Sequence, residues 1–480
     1  MSCAHTPQPP GTPERLWAPA RRALTVGLIL TNTLIACESL AVLTIMPRVA
    51  RDLGGLSLYG WVFSVFMLGS IVGTVAAGRA SDRVGPARPF LAGLALFTAG
   101  LALAGLAPTM GVLVLARAVQ GLGAGAAPAI CYVVIGRALP EHLRPRMLAL
   151  LSSAWVLPGL MGPALSAEVT RVFGWRWVFI GLIPLVALAG ALSTQALRRL
   201  GRPAVAAGAA TAVEHRLRDA LRVALGAAML LGGFSARSLP LAALLVLGGL
   251  VVGVPALRAL LPDGTLSARP GLPAVVLSRG LLMFAFLGGD AFVTLTITTV
   301  LHHSTALASL VVTTATLSWT AGDWLQVRLS ARRQGRGLVR VGLLLLLAGI
   351  AGMLLVAQRP QVGVAEAIIA WTVAGLGTGL AYSPTSLMTM REASAGNVGW
   401  ASASLNLAEV LGTALGAGLG GAAIVLANHR GWQLSTAVTL AFAIAAAGAV
   451  LALALARRLP RTPRPPVQEA GAFASGGVAV

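Results

Sequence analysis

The chain has 480 residues, 56% of them hydrophobic and 11% charged, which excludes an ordinary soluble domain. Its net charge of +21 comes from 36 arginines and no lysine set against 15 carboxylates. Those arginines lie in the gaps between apolar runs, so they argue for orientation in a membrane and against a nucleic-acid partner.

Residues 1–19 are polar and proline-rich and read as a cytoplasmic tail. Arg21-Arg22, an apolar stretch and then Cys37 have the look of a cleavable signal, but the apolar run continues past Cys37 to Pro47, so the segment is read as an uncleaved first span. A crossing helix needs about 20 apolar residues. On that basis residues 20–197 form an N-terminal six-helix bundle, with spans at about Leu24 to Ile45, Tyr59 to Ala77, Phe90 to Leu106, Val112 to Ile135, Met147 to Val169 and Trp177 to Ala196.

Between the second and third spans lies Gly78-Arg-Ala-Ser-Asp82-Arg83-Val-Gly85-Pro-Ala-Arg88. Gly78 lets two helices approach closely, Gly85 opens a position to positive φ, and Arg83 and Arg88 hold the loop on the cytoplasmic face. Asp82 is able to accept hydrogen bonds from those arginines or from a helix N-terminus. The plainer alternative is a solvated carboxylate in a basic turn.

Residues 198–275 form a central linker. Within it, Val223 to Phe234 is short for a span and Leu239 to Leu257 is a clear one. The loop from Arg328 to Arg340 carries five arginines and belongs inside, so an even number of crossings separates it from the first half. The clear span therefore obliges the short one, which gives 14 spans, with 12 as the alternative. Residues 276–457 form a C-terminal six-helix bundle with spans near Gly280 to Leu301, Ala306 to Leu325, Val341 to Ala357, Val364 to Met388, Val398 to Leu426 and Leu434 to Ala456, and residues 458–480 are a second cytoplasmic tail. This layout puts 28 arginines inside, 7 outside and only Arg117 within a span, a fourfold positive-inside bias. Gly322-x-x-x-Gln326-x-Arg328 faintly echoes Gly78-x-x-x-Asp82-Arg83, and related halves around a central site are common in alternating-access transporters.

Ionisable groups inside a span cost several kcal/mol by most estimates. Four stand out: Glu38, Arg117, Asp290 and Glu409. Together they are able to share one water-filled cavity, where a carboxylate sheltered from water serves a proton carrier or attracts a cation. Arg117 equally serves a structural pair with a backbone carbonyl or Glu38, and Asp290 a local helix break. Glu168, Glu366 and Asp323 fall near span ends, where snorkelling makes them ordinary.

The loop spacing Gly-x-x-x-Asp-Arg-x-Gly-x-x-Arg after the second span resembles the signature of the major facilitator superfamily. Glu38 followed by Pro47 is similar to the first-span acid motif of drug:proton antiporters, and Leu115-Ala-Arg117-Ala-Val-Gln120-Gly121-Leu-Gly123 to their fourth-span motif, whose arginine is implicated in proton coupling. Pro158-x-x-x-Gly162-Pro163 resembles the fifth-span antiporter motif, in which glycine and proline let the helix pack closely against the other half. Gly174-Trp-Arg-Trp-Val-Phe179 is typical of the 14-span branch. Two departures are present: Ser166-Ala167 stand where that fifth-span motif has paired glycines, and Glu38 replaces the more usual aspartate. The second half matches chiefly through Asn406-Leu-Ala-Glu409-Val-Leu-Gly412, so a role for Asp290 rests on its depth in the membrane.

Gly121-x-Gly123-x-Gly125 and Gly375-x-Gly377-x-Gly379 are not dinucleotide loops, since each lies inside an apolar run; they read as helix-packing surfaces. With no Walker loop, metal-spaced cluster or nucleophile elbow, and with Cys3, Cys37 and Cys131 lacking paired spacing, the chain reads as a non-enzyme that uses no cofactor or metal. The resemblance implies an all-α polytopic membrane protein of the major facilitator fold. It further implies a monomeric multidrug efflux antiporter in the bacterial inner membrane, both termini cytoplasmic, that exchanges a small lipophilic or cationic substrate for protons. Export of one endogenous lipid or metabolite, and a transporter-shaped receptor that moves nothing, are the alternatives.

Overall fold

The computed structural model describes residues 16–139, 143, 147, 150–151, 154–199, 209–236, 238–330, 335–359, 361, 363–393 and 398–460. These contain helices and turns and no strand. The first half comprises α1 (Pro19–Leu53), α2 (Tyr59–Val84), α3 (Ala87–Gly105), α4 (Met110–Ala138), α5 (Val156–Val172) and α6 (Ile183–Arg199). A pair follows, α7 (Ala209–Phe234) and α8 (Leu239–Leu260). The second half comprises α9 (Leu272–Leu295), α10 (Thr305–Ser330), α11 (Gly335–Gln358), α12 (Val364–Glu392), α13 (Val398–Arg430) and α14 (Leu434–Leu455). Among the described residues, eleven helical stretches are long and apolar enough to cross a membrane, so the chain is a multi-pass membrane protein. Large apolar side chains on the outside of α8, including Leu239, Leu244, Leu247 and Val251, are exposed, as lipid-facing residues are.

Several boundaries differ from the sequence reading, three of them as follows. The helix α1 runs from Pro19 to Leu53 with Pro47 inside it, longer than the expected Leu24 to Ile45. The helix α7 begins at Ala209 rather than Val223, because the charged stretch before Val223 continues the same helix. Finally, α9 begins at Leu272, which puts Arg279 two turns inside it and buries the side chain to 1% exposure. Arg279 therefore leaves the arginines assigned to the cytoplasm and joins Arg117 within the bundle.

In lipid there is little hydrophobic force between helices, so association depends on close backbone contact at small residues. Gly121 and Gly125 of α4 lie against the carbonyls of Phe66 and Ser70 on α2, and Gly375 and Gly379 of α12 lie against those of Ala315 and Trp319 on α10. The first pair maps onto the second by shifts of 254 and 249 residues: 121 to 375, and 66 to 315. The same shifts carry Gly73 against Leu122 onto Gly322 against Leu376, and Gly123 against Gly93 onto Gly377 against Gly342. The two halves are thus one packing scheme used twice. In this register Gly322 is the counterpart of Gly73, which corrects the faint echo read from sequence; the counterpart of Gly78 is Val327.

The halves meet along α2 with α13 and α5 with α10. At the start of α2, Gly60 packs on Gly421, and one turn later Ser64 Oγ donates to the Ala414 carbonyl at 2.8 Å. Deeper still, Leu68 and Ile71 pack with Leu411 and Ala414, joined by Ala220, Val223 and Ala227 of α7. The extra pair thus lies over the α2–α13 seam. At the other end of α2, towards the arginine-rich loops, a side chain at Gly78 would meet no described atom within 4 Å. At the face opposite those loops the two halves are thus in direct backbone contact.

A Cβ at residue 379 would strike the backbone of α10, whereas one at residue 78 enters open space. Gly379→Ala is expected to lower the thermal midpoint of the detergent-purified protein by several degrees and Gly78→Ala to leave it unchanged, as read by intrinsic fluorescence on heating.

Candidate functional site

Glu38 sits on α1 and Arg117 on α4, both almost fully buried. An unpaired charge is expensive there, and the two satisfy each other in a direct ion pair. The Arg117 guanidinium also donates to the Val62 carbonyl at 3.3 Å and to Gln120 Oε1 at 2.9 Å, and stacks over the Phe66 ring at 4.0 Å. Gln120 Nε2 reaches Glu38 at 3.4 Å, while Glu38 Oε2 is buried without a hydrogen-bond partner among the described residues.

At the corresponding depth of the second half, Asp290 of α9 accepts a 2.7 Å hydrogen bond from the Trp371 indole of α12. The α4 to α12 shift carries Arg117 onto Trp371, so the two acids occupy equivalent places facing different donors. Trp371 stacks on Phe286 at 5.3 Å and 9°. Trp319 meets Phe286 edge-on at 5.3 Å and also Tyr382 at 5.3 Å. A continuous aromatic wall therefore runs from Asp290 to Tyr382, drawn from α9, α10 and α12.

The far end of that wall holds a second ion pair. Arg279 of α9 donates to Glu409 Oε2 of α13 at 3.1 Å, to Thr385 Oγ1 at 2.9 Å, and to the Tyr382 carbonyl and Ser386 Oγ at 2.6 Å each. Its guanidinium lies 3.5 Å from the Tyr382 ring centroid, and the Tyr382 hydroxyl contacts both Glu409 oxygens at 3.3 Å. Arg279 is 1% exposed and Glu409 22%, so the carboxylate is the accessible member. Nearby, Ser383 Oγ donates to Asp323 at 2.7 Å. Sequence reading placed Asp323 near a span end, but α10 continues to Ser330.

The four groups singled out from sequence thus lie in three separate pairs. Arg279 was missed because it immediately precedes the apolar run and so looked like a loop arginine; its position seven residues into a helix starting at Leu272-Pro273 was the available signal. Trp371 and Tyr382 look like ordinary apolar residues until their partners are known.

The loop residues fall as follows. Gly85 ends α2 with φ of 84°, as the spacing anticipates, and its N–H bonds the Ser81 carbonyl at 3.0 Å. Arg83 and Arg88 are exposed, and the side chain of Asp82 lies outside what the structure describes. In α5, Pro158, Gly162 and Pro163 are buried. Gly162 faces Leu40 of α1, and it is Gly159 that abuts Thr316 of α10 in the other half.

Residues 28–417 match the Major Facilitator Superfamily. Over 466 residues, 92% of this chain and 97% of the other, the sequence is 29% identical to a probable multidrug-efflux transporter of Mycobacterium tuberculosis. It is 34% identical to multidrug resistance protein 3 of Bacillus subtilis over 165 residues, 34% of this chain and 32% of that one. Among solved structures, a D-xylose-proton symporter aligns with TM-score 0.63 at 15% identity over 92% of this chain and 98% of that one. The POT family transporter PepTSo aligns with TM-score 0.66 at 13% identity over 91% and 98%. At such identities the structural likeness speaks to the fold alone.

Removing one member of a buried ion pair strands the other charge, and removing both does not. Glu409→Gln, which leaves the buried Arg279 without its counter-charge, is therefore expected to be less stable than the double variant Arg279→Met with Glu409→Gln, measured as thermal midpoints of the two purified proteins.

Proposed function

The chain belongs to the Major Facilitator Superfamily of membrane transporters, and on that premise we propose that it exports lipophilic, often cationic compounds in exchange for protons by alternating access. The observation that carries this reading is the aromatic wall of Phe286, Trp319 and Tyr382, bounded by the carboxylates of Asp290 and Glu409. Of these rings Trp319 and Tyr382 are half-buried and provide apolar area and a π face for an organic cation, and the partly exposed Glu409 carboxylate beside them favours positive charge. The multidrug-efflux name of the Mycobacterium tuberculosis relative, which spans nearly the whole chain, supports a varied substrate set. Proton exchange is supported by the carboxylates held away from water, a costly arrangement that a transport cycle explains.

In the proposed cycle the molecule opens alternately at its two faces by parting one end of the α2–α13 and α5–α10 seams. In this cycle the conformation with Gly60 against Gly421 is assigned to the state open toward the arginine-rich loops, a reading the Gly60–Gly421 contact supports. Those loops are assigned to the cytoplasm of a bacterial inner membrane, with both termini on that side and the protein acting as a monomer. When the other face opens, Gly78 swings toward the second half, and Asp82 with Arg83 and Arg88 latches the cytoplasmic end. The Glu38–Arg117 pair ties α1 to α4, so that the first half moves as a unit.

The test is proton-gradient-driven uptake of ethidium into inside-out vesicles. Wild type is expected to accumulate the dye and to lose it on addition of an uncoupler. Glu38→Gln, which leaves Arg117 buried without its counter-charge, is expected to accumulate about tenfold less or worse. Wild-type vesicles that move no dye would instead point to a dedicated exporter of a single compound.

A further inference from the structure

The two halves repeat the same acid position with one exchange. On α1, Glu38 faces Arg117 and Gln120; on α9, Asp290 faces Trp371 and, in place of the glutamine, Ala374. We propose that Asp290 is the carboxylate that takes up and releases the transported proton, and that Trp371 is its positioning residue. Glu38 on this assignment is a fixed structural anion. The assignment rests on the antiport reading above.

The argument is one of stranded charge. A proton added to Glu38, even at its unpartnered Oε2, removes the anion that compensates Arg117 and leaves a guanidinium uncompensated among Phe66 and the backbone of α2. That is the costly outcome for a buried pair. A proton added to Asp290 strands nothing, because the Trp371 indole is a neutral donor and its N–H is accepted equally well by the carbonyl oxygen of a carboxylic acid. Asp290 is thus able to exist in both protonation states with the same partner and the same geometry, which a carrier requires.

The charged and titratable groups on the surrounding helices do not supply a cation. From α1, Glu38 is committed to Arg117. On α9 itself Arg279 is 11 residues away, about 16 Å along the axis, and is bound to Glu409 of α13. Asp323 of α10 is bonded to Ser383, and Tyr382 of α12 to Glu409. Arg336 and Arg340 stand in the first two turns of α11, at the arginine-rich end, and α14 has no titratable side chain between Leu434 and Leu455. From α2, Tyr59 packs on Phe292 with ring centroids 5.8 Å apart and lies within electrostatic reach of Asp290. Its hydroxyl is buried without a partner among the described residues.

Tyr59 and Phe292 also indicate the route. They belong to the closed end of the molecule, so parting the Gly60–Gly421 contact lifts Tyr59 from α9 and uncovers Asp290 on that face. One proton then joins the carboxylate to give the neutral acid. The same proton leaves after the seam closes and the opposite face opens, so one proton crosses per cycle and no other reactant is consumed.

The experiment uses full-length protein in weakly buffered detergent, with ethidium added and proton release followed by a pH-sensitive dye, alongside ethidium binding by fluorescence. Wild type is expected to release protons on ethidium binding. Asp290→Asn should lose that release when compared with wild type at ethidium concentrations that saturate each protein. Asp290→Glu should restore it, which excludes a folding failure. Removing the first-half pair together, as Glu38→Gln with Arg117→Gln, should leave release intact, and Trp371→Arg, which recreates the first-half arrangement, should suppress it. Unchanged release from Asp290→Asn, or release lost only in the double variant while ethidium still binds, would overturn the assignment in favour of Glu38. Wild type that binds ethidium and releases no proton would instead sink the antiport reading, and the assignment with it.

Discussion

A bilayer offers helices neither water to satisfy their polar groups nor a hydrophobic force to press them together, and the architecture follows from how the chain answers both demands. The first answer is glycine. Where Gly121 and Gly125 meet the α2 backbone, and Gly375 and Gly379 meet the α10 backbone, no side chain separates the helices, and dispersion contacts act over their whole length. Because these contacts recur at constant shifts, the two halves share one packing scheme. Between the halves, Gly60 and Gly421 form a contact of the same kind.

The second answer is internal pairing of charge. Arg117 and Arg279 are both buried to within a few per cent, and each is surrounded by a carboxylate, a backbone carbonyl, a hydroxyl or amide oxygen, and an aromatic face. The planar guanidinium, with five donors and a flat surface for stacking, is suited to such a setting in a way an ammonium is not. The two pairs differ in what they leave free. Glu38 is sealed in with Arg117, whereas Glu409 retains accessible surface beside Tyr382. One pair is therefore sealed in the interior of a half, and the other has a partly exposed carboxylate.

Asp290 stands apart from both, because its partner is neutral. The repeat makes the contrast meaningful. With α4 and α12 packed alike against α2 and α10, the change from Arg117 to Trp371 alters the electrostatics of the acid site while preserving its placement. The aromatic wall begins at that exchanged residue and passes through Phe286 and Trp319 to Tyr382, so the acid site and the wall share a side chain. Trp371 itself is fully buried, its indole bonded to Asp290 and stacked on Phe286.

Much of this was legible in the residues alone. Apolar runs of about 20 residues separated by arginines determine a helical membrane bundle, because only helices satisfy their own backbone in hydrocarbon. Gly85 could be read as a positive-φ turn, and Glu38, Arg117, Asp290 and Glu409 as ionisable groups inside helices, because an ionisable residue within an apolar run is visible in one dimension. Which groups pair, and which of them are neutral, was not. Arg279 lies beside a run rather than inside it, and only the start of α9 at Leu272 buries it. Gly322 seemed to match Gly78 by spacing, but the contact with Leu376 aligns it with Gly73. Partnership depends on residues brought together from 79 to 130 positions apart, as in Arg117 with Glu38 and Arg279 with Glu409. Local sequence encodes depth in the membrane through hydropathy, whereas the identity of a neighbour is set by helix rotation and register, which only the packed structure decides.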